Sequence, residues 1–253
     1  MILFTGRSIH ITTMPNKPIS HGYKLFYRAE NSYVWEFHPL SNAVGGDPVD
    51  VESPPLQLTD TRKMVHPLTR CLHQRRRKLS FNVYMHNFFP TQPLLVEFCR
   101  MGIAACGKCR QQFRGFPKEL KVGNNAKLPY HFRSGAGNYG VATLLWMDSS
   151  PVTMMSTIHP LSGEDSLVLR MRKHPGNKST NANGANSTFL PGERRKALDI
   201  PGIVDAYNQH KVGVDVANQY RTYFDTHLIS RHNWYSLSYW ILESALINSL
   251  IIY

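Results

Sequence analysis

In "FNVYMHNFFPTQPLL", residues 81–95, a run of β-favouring residues ends at His86 and passes into a segment with a helical start. Enzymes often keep a carboxylate at the exit of a buried strand, and here an imidazole stands there. Such a histidine can transfer protons or bind a metal, can pack as a core residue, or can replace a lost carboxylate. Cys106 and Cys109 form Cys-x-x-Cys in "ACGKCRQ", a spacing that supplies half of a tetrahedral zinc site. The other half needs a second close Cys or His pair, and Cys71 and Cys99 are far apart in sequence. Free thiols are therefore expected, as in a reducing compartment. Asp215 in "GVDVANQ" is either a site carboxylate or an ordinary helix-surface acid, and Asp148 in "WMDSSP" suits a turn. There is no Gly-x-Ser-x-Gly, Walker loop, His-Glu-x-x-His or dinucleotide-binding glycine pattern. The glycines of "GNYGVATLL" precede a strand rather than follow one, the wrong order for a phosphate cradle.

The elements that hold these residues follow from period and punctuation. "YKLFYRAE" (23–30) and "SYVWEFHP" (32–39) are β-rich runs separated by Asn31, which predicts a hairpin. Residues 40–60 are rich in Gly, Pro and Asp and read as a loop. "RKMVHPLTRCL" (62–72) predicts a short helix limited by Pro67, and the basic run "HQRRRKLS" a solvated helix end. "SFNVYMHNF" is expected as a buried strand. Thr91 is expected to cap the helix "QPLLVEFCRMG", with Pro93 in its first turn and Gly102 ending it. "IAACGKCR" is a further strand, and strand–helix–strand in this order favours a parallel crossover. "VATLLWMD" and "VTMMSTIHP" predict an antiparallel pair across "SSP".

Residues 111–140 are basic and Gly/Asn-rich without a strong period, and residues 172–196 are polar low complexity, a linker or mobile loop. Helices resume at "IPGIVDAYNQHKVGVDVANQYRTYF". The tail "NWYSLSYWILESALINSLIIY" is strongly apolar, but Glu243, Asn248 and four serines interrupt it. It reads as a buried core helix rather than a membrane span. The reading is an α/β core in residues 1–110, an insertion with a polar loop in 111–196, and closing helices in 197–253.

With 253 residues, 42% of them hydrophobic, the chain can bury a core in one large domain or two modest ones. Its 29 Lys and Arg against 17 acidic residues give a formal charge of +12. Clustered cations gain free energy by releasing counterions from a polyanion, so nucleic acid is the partner this charge favours. The first twenty residues contain no continuous apolar segment of a secretory signal.

Taken together, "MILFTGRS", "MPNKPISHGYKLF", "VYMHNFFPTQPL", "GFPKELK", "LLWMDSSPVTMMSTIHP", "IPGIVDAYNQHKVGVDVANQ" and "RHNWYSLSYWILESALINSLIIY" resemble the transposase domain of the piggyBac family. Their order and spacing match from end to end, so the likeness covers nearly the whole chain. The resemblance implies an RNase H-like core carrying three aspartates that hold two divalent metals, Mg²⁺ in the family. Chemistry of that kind needs oxygen ligands on both sides of a phosphate, converging from separate elements. The family's first aspartate lies about three residues ahead of the methionine that is Met1 here, so the chain is expected to start within the core. Its second position is occupied by His86, its third by Asp215, and a further acidic position by Asn218.

Imidazole prefers softer ions than Mg²⁺ and brings no negative charge to gather two hard cations. His86 is accordingly expected to fill a vacated ligand position, with Asp215 a vestigial ligand and no cofactor bound. The resemblance further implies DNA as partner, through Arg7, Lys17 and Lys24, a homodimer, nuclear residence with "QRRRK" as an import signal, and no membrane association. The family's preceding dimerisation region and following Cys/His-rich zinc module are expected to be missing. Two other readings stay open. One is a fragment of an active transposase that starts upstream, for which Glu97 lies too far into its helix to replace His86. The other is a domesticated module that binds DNA or chromatin.

Overall fold

The computed structural model describes residues 1–40, 64–75, 79–113, 115–123, 128–176, 182–185 and 187–253. In chain order its elements are β1 (Ile2–Leu3), β2 (Ile11–Thr13), β3 (His21–Tyr23), β4 (Leu25–Glu30), β5 (Tyr33–Pro39), α1 (Val65–Arg75), β6 (Phe81–Met85), α2 (Gln92–Arg100), β7 (Ile103–Lys108), β8 (Arg133–Asn138), β9 (Val141–Met147), β10 (Pro151–Ser156), β11 (Leu167–Lys173), α3 (Ala182–Ala185), β12 (Arg195–Pro201), α4 (Gly202–His210), α5 (Gly213–Tyr223) and α6 (Tyr235–Ile252). They form two compact units, one from Met1–Cys71 with Val212–Tyr253 and one from Leu72–Lys211. The expected loop over 40–60 and the import signal within 74–78 lie outside the described residues or their described side chains.

The unit of residues 72–211 is built on a mixed five-stranded sheet in the order β6-β7-β10-β9-β8. The predicted crossover is present: β6 and β7 run parallel, from Phe81 opposite Ile103 to Met85 opposite Gly107. α2 between them buries Leu94, Leu95 and Phe98 completely against β7 and β9. On the other face Cys106, Leu144, Trp146 and Met154 pack with Ile203, Val204 and Tyr207 of α4. Helices thus cover both faces, the arrangement a partly parallel sheet requires.

Several expectations need correction in detail. β6 is half-buried rather than buried, because it is an edge strand. Thr91 stands at the N-cap but makes no side-chain cap bond; its side chain is buried, and its carbonyl takes the Leu95 amide at 3.0 Å. Gly102 does end α2, with φ +69 and its amide bonded to the Cys99 carbonyl at 3.0 Å. β9 and β10 pair as predicted, from Pro151 opposite Met147 to Ser156 opposite Ala142. β8 was not anticipated, and neither was the antiparallel ribbon β11–β12 that flanks the polar segment.

In the other unit, β1, β3 and β2 form an antiparallel sheet with β3 in the centre. Gly22 on β3 has φ +152, and a Cβ there would stand 1.9 Å from the Ile2 carbonyl oxygen. Only glycine fits, on grounds of both backbone angle and space. β4 and β5 form the predicted hairpin, but the turn uses two residues, Asn31 (φ 46) and Ser32 (φ 76). Two positive φ values in a two-residue connection match the right-handed twist of the strands. Pro67 does not limit α1, which extends to Arg75; it lies in the first turn, where no intrahelical N–H bond is lost.

α6 departs furthest from expectation. Its buried positions are Ser236, Trp240, Glu243, Ser244 and Ile247, whereas Ile241, Leu242, Leu246 and Leu250 are exposed. The i, i+4, i+7 stripe turned inward sets three polar residues among Trp240 and Ile247. It is accommodated because its polar groups mostly find partners: Ser244 donates to the Trp240 carbonyl at 2.8 Å, and the Thr226 amide donates to Glu243 at 3.0 Å. Asn248 both accepts from the Val34 amide and donates to the Val34 carbonyl, each at 2.9 Å. Among the described residues no helix is long and apolar enough to cross a membrane.

Candidate functional site

Asp215 sits exposed in the first turn of α5. The helix approaches β4 closely at Gly213, where a Cβ would come within 2.8 Å of the Ala29 carbonyl oxygen. Close approach lets the Tyr27 hydroxyl donate to the Val214 carbonyl at 3.1 Å. One and a half turns beyond Asp215, Arg221 lies over the rings of Trp240 (4.8 Å) and Tyr27 (5.7 Å) and donates to the Asn218 side-chain oxygen. Burial pushes the Tyr27 phenol up; the Arg221 cation opposes this and the Asp215 charge adds to it. The Arg221 guanidinium thus rests against two aromatic rings that themselves meet edge to face, 5.7 Å apart.

Three expected DNA-contact residues lie in the same unit. Arg7 is exposed in the β1–β2 connection. Lys17 is exposed at the end of the β2–β3 connection's tight turn, its amide bonded to the Met14 carbonyl at 3.1 Å. Lys24 is half-buried with Nζ 4.8 Å from the Phe26 ring centroid, and burial pushes its pKa down. Burial, and after it the charges of Arg221, Lys17 and Lys24, push the Met1 amino group down.

His86 belongs to the other unit. It is exposed, immediately after β6, and its carbonyl accepts the Phe89 amide at 3.1 Å. It marks the carboxyl end of the parallel β6–β7 pair, the edge at which sheets of this kind commonly present ligands. Nearby, Arg110 stands 5.3 Å from the Phe88 ring. Two residues before His86, the Tyr84 ring stacks on His210 of α4, 4.4 Å apart at 8°. Burial, then the neighbouring His210, push His159 down. Asp148 takes part in a turn as expected and also accepts from Arg172 of β11 at 2.6 Å. The contact of Arg221 with Tyr27 and Trp240 and the Tyr84–His210 stack were not legible in the sequence; both join residues remote in the chain and carry no local signal.

Cys106 and Cys109 are buried, and burial pushes both thiols up to about 12. They stand as protonated core groups, not as thiolates ready to ligate or attack.

The donors present do not fit a pair of hard divalent cations. Among the described candidates Asp215 supplies one exposed carboxylate and His86 an exposed imidazole, which carries no negative charge to gather two hard cations. Among the described residues no three His, Cys, Asp or Glu side chains come together as a metal-holding group.

The family model described as Transposase IS4 matches residues 1–250. The chain therefore belongs to that family of DDE-type transposases. Its fold is similar to that of a piggyBac transposase: a cryo-EM structure of a piggyBac transposase synaptic complex with hairpin DNA superposes with a TM-score of 0.70 at 20% identity. That match covers 99% of this chain and 44% of the other, so the chain spans less than half the length of the transposase it resembles. No curated protein matches it.

Proposed function

We propose that this domain is a catalytically silent DDE transposase relative that retains affinity for DNA. In this reading the five-stranded sheet and the helices packed on it are an RNase H-like core, and the basic stretch over 111–196, which supplies β8, β9 and β10 to that sheet, is an elaboration of it. One observation carries the silence: an imidazole, His86, stands where hard-metal chemistry needs a carboxylate. The formal charge of +12 supports the DNA affinity, and the cations between β1 and β4 (Arg7, Lys17 and Lys24) give it a surface. The site of action is the nucleus, as a homodimer.

The experiment is an incubation of purified protein with supercoiled plasmid and Mg²⁺ or Mn²⁺. The expected result is no nicking. Nicking that disappears in Asp215→Ala would overturn the silent reading. DNA affinity is checked by fluorescence anisotropy over a salt series, where log K should fall linearly with log salt; absence of any salt-dependent binding would remove the DNA reading.

A further inference from the structure

The ribbon β11–β12 has two faces of unlike character. Its inner face is anchored at both ends. Arg170 forms a two-bonded ion pair with Asp205 of α4, at 2.7 and 2.8 Å. Arg172 bonds Asp148 at 2.6 Å and lies 5.4 Å from the Trp146 ring. Ile200 enters the core, and Lys196 donates to the Thr188 carbonyl at 2.6 Å. Planar bidentate pairs of the Arg170 kind fix orientation as well as contributing energy.

The outer face is left to solvent. Leu169 and Met171 are 63% and 64% exposed. Beside them Lys173 stands directly opposite Arg195 in the ladder, both exposed, with Arg194 adjacent. Like charges directly opposite one another destabilise a strand pair. Among the described residues no carboxylate is paired with Lys173, Arg194 or Arg195. Asp199, the acid on this face, is opposite Leu169 at the far end. A cost of this kind, on a face held rigidly from behind, is relieved by a polyanion.

We propose that the outer face of the β11–β12 ribbon seats in a groove of double-stranded nucleic acid, Lys173 and Arg195 meeting phosphates. Leu169 and Met171 rest on the base edges. A two-stranded ribbon with strands ~5 Å apart and side chains added fills a major groove ~12 Å wide, and apolar side chains there meet thymine methyl groups. The phosphates of the two groove walls explain why each strand of the ribbon brings a cation. This rests on the DNA reading above and adds to it a second contact surface, separate from Arg7, Lys17 and Lys24.

The test uses the full chain and a fluorescein-labelled mixed-sequence duplex of about two helical turns, titrated across a salt series. In Lys173→Gln/Arg195→Gln the slope of log K against log salt should fall by about 2, since each phosphate contact contributes ~0.9, with affinity reduced at least roughly tenfold at low salt. Leu169→Ala/Met171→Ala should weaken binding with the slope unchanged. Both pairs are exposed, so an unaltered thermal transition verifies that the variants fold. If the wild-type chain binds and the Gln variant keeps its slope, the ribbon proposal is overturned while the DNA reading stands. A wild-type chain that fails to bind removes both. Displacement of the duplex by poly-L-glutamate at matched charge would point to an acidic protein segment instead and overturn the groove assignment.

Discussion

The two units bury their elements in opposite ways. Around the five-stranded sheet of the unit of residues 72–211, apolar side chains are enclosed: Leu94, Leu95 and Phe98 of α2 are fully buried, and the opposite sheet face closes under Ile203, Val204 and Tyr207. In the other unit α6 turns Ser236, Glu243 and Ser244 inward and leaves Leu242, Leu246 and Leu250 outside. The first unit is held mainly by area removed from water. The second depends more on particular polar contacts and on aromatic stacking, as in Phe4–Tyr23–Trp234 with centroids 5.0 and 5.7 Å apart. Stability distributed over area tolerates small changes, whereas stability placed in a few directional bonds does not.

The largest effect that sharpens this contrast is Phe98→Ala, which empties a completely enclosed site in the area-held unit and should cost ~3–5 kcal/mol in chemical denaturation. Next comes Asn248→Ala in the other unit. It strands both polar groups of Val34 and should cost ~1–3 kcal/mol, although a polar residue on an apolar helix would ordinarily be judged dispensable. A smaller and pH-dependent effect is expected at Glu243. Burial pushes its carboxyl up, with the Thr226 amide opposing and Asp225 adding to the rise. A raised carboxyl favours the native state most below the ordinary glutamate range and loses that contribution as pH rises through the raised value. Glu243→Gln, which keeps the acceptor for Thr226, should therefore raise Tm at neutral pH, and the gain should shrink on acidification. The smallest is Leu246→Ser: at 53% exposure it should change stability by less than ~0.5 kcal/mol. A large loss there would break the comparison.

Much of the sheet unit was legible. The β6–α2–β7 crossover has its period, Pro93 and Gly102 written locally, and the β9–β10 pair is marked by "SSP" between two β-rich runs. β8 was not legible, because "RSGAGN" has no strand propensity and pairs through its backbone alone. β11, "LVLRMRK", does alternate apolar and charged residues, but the alternation is reversed, with charges inward on Asp205 and Asp148. α6 is apolar around most of its circumference, so its sequence announces a helix without saying which side faces in. At the candidate site, Asp215 and His86 were reachable only through the ordered motifs. The rings that hold Arg221 come from β4 and α6, and no spacing rule joins those segments.

Gly22 is a position at which the fold admits one residue. Every missense change at that codon adds at least a methyl-sized group where the β1 carbonyl already stands, so no replacement passes without dismantling the central strand. A chain carrying any other residue at position 22 should therefore fail to build the β1-β3-β2 sheet, whatever else it keeps.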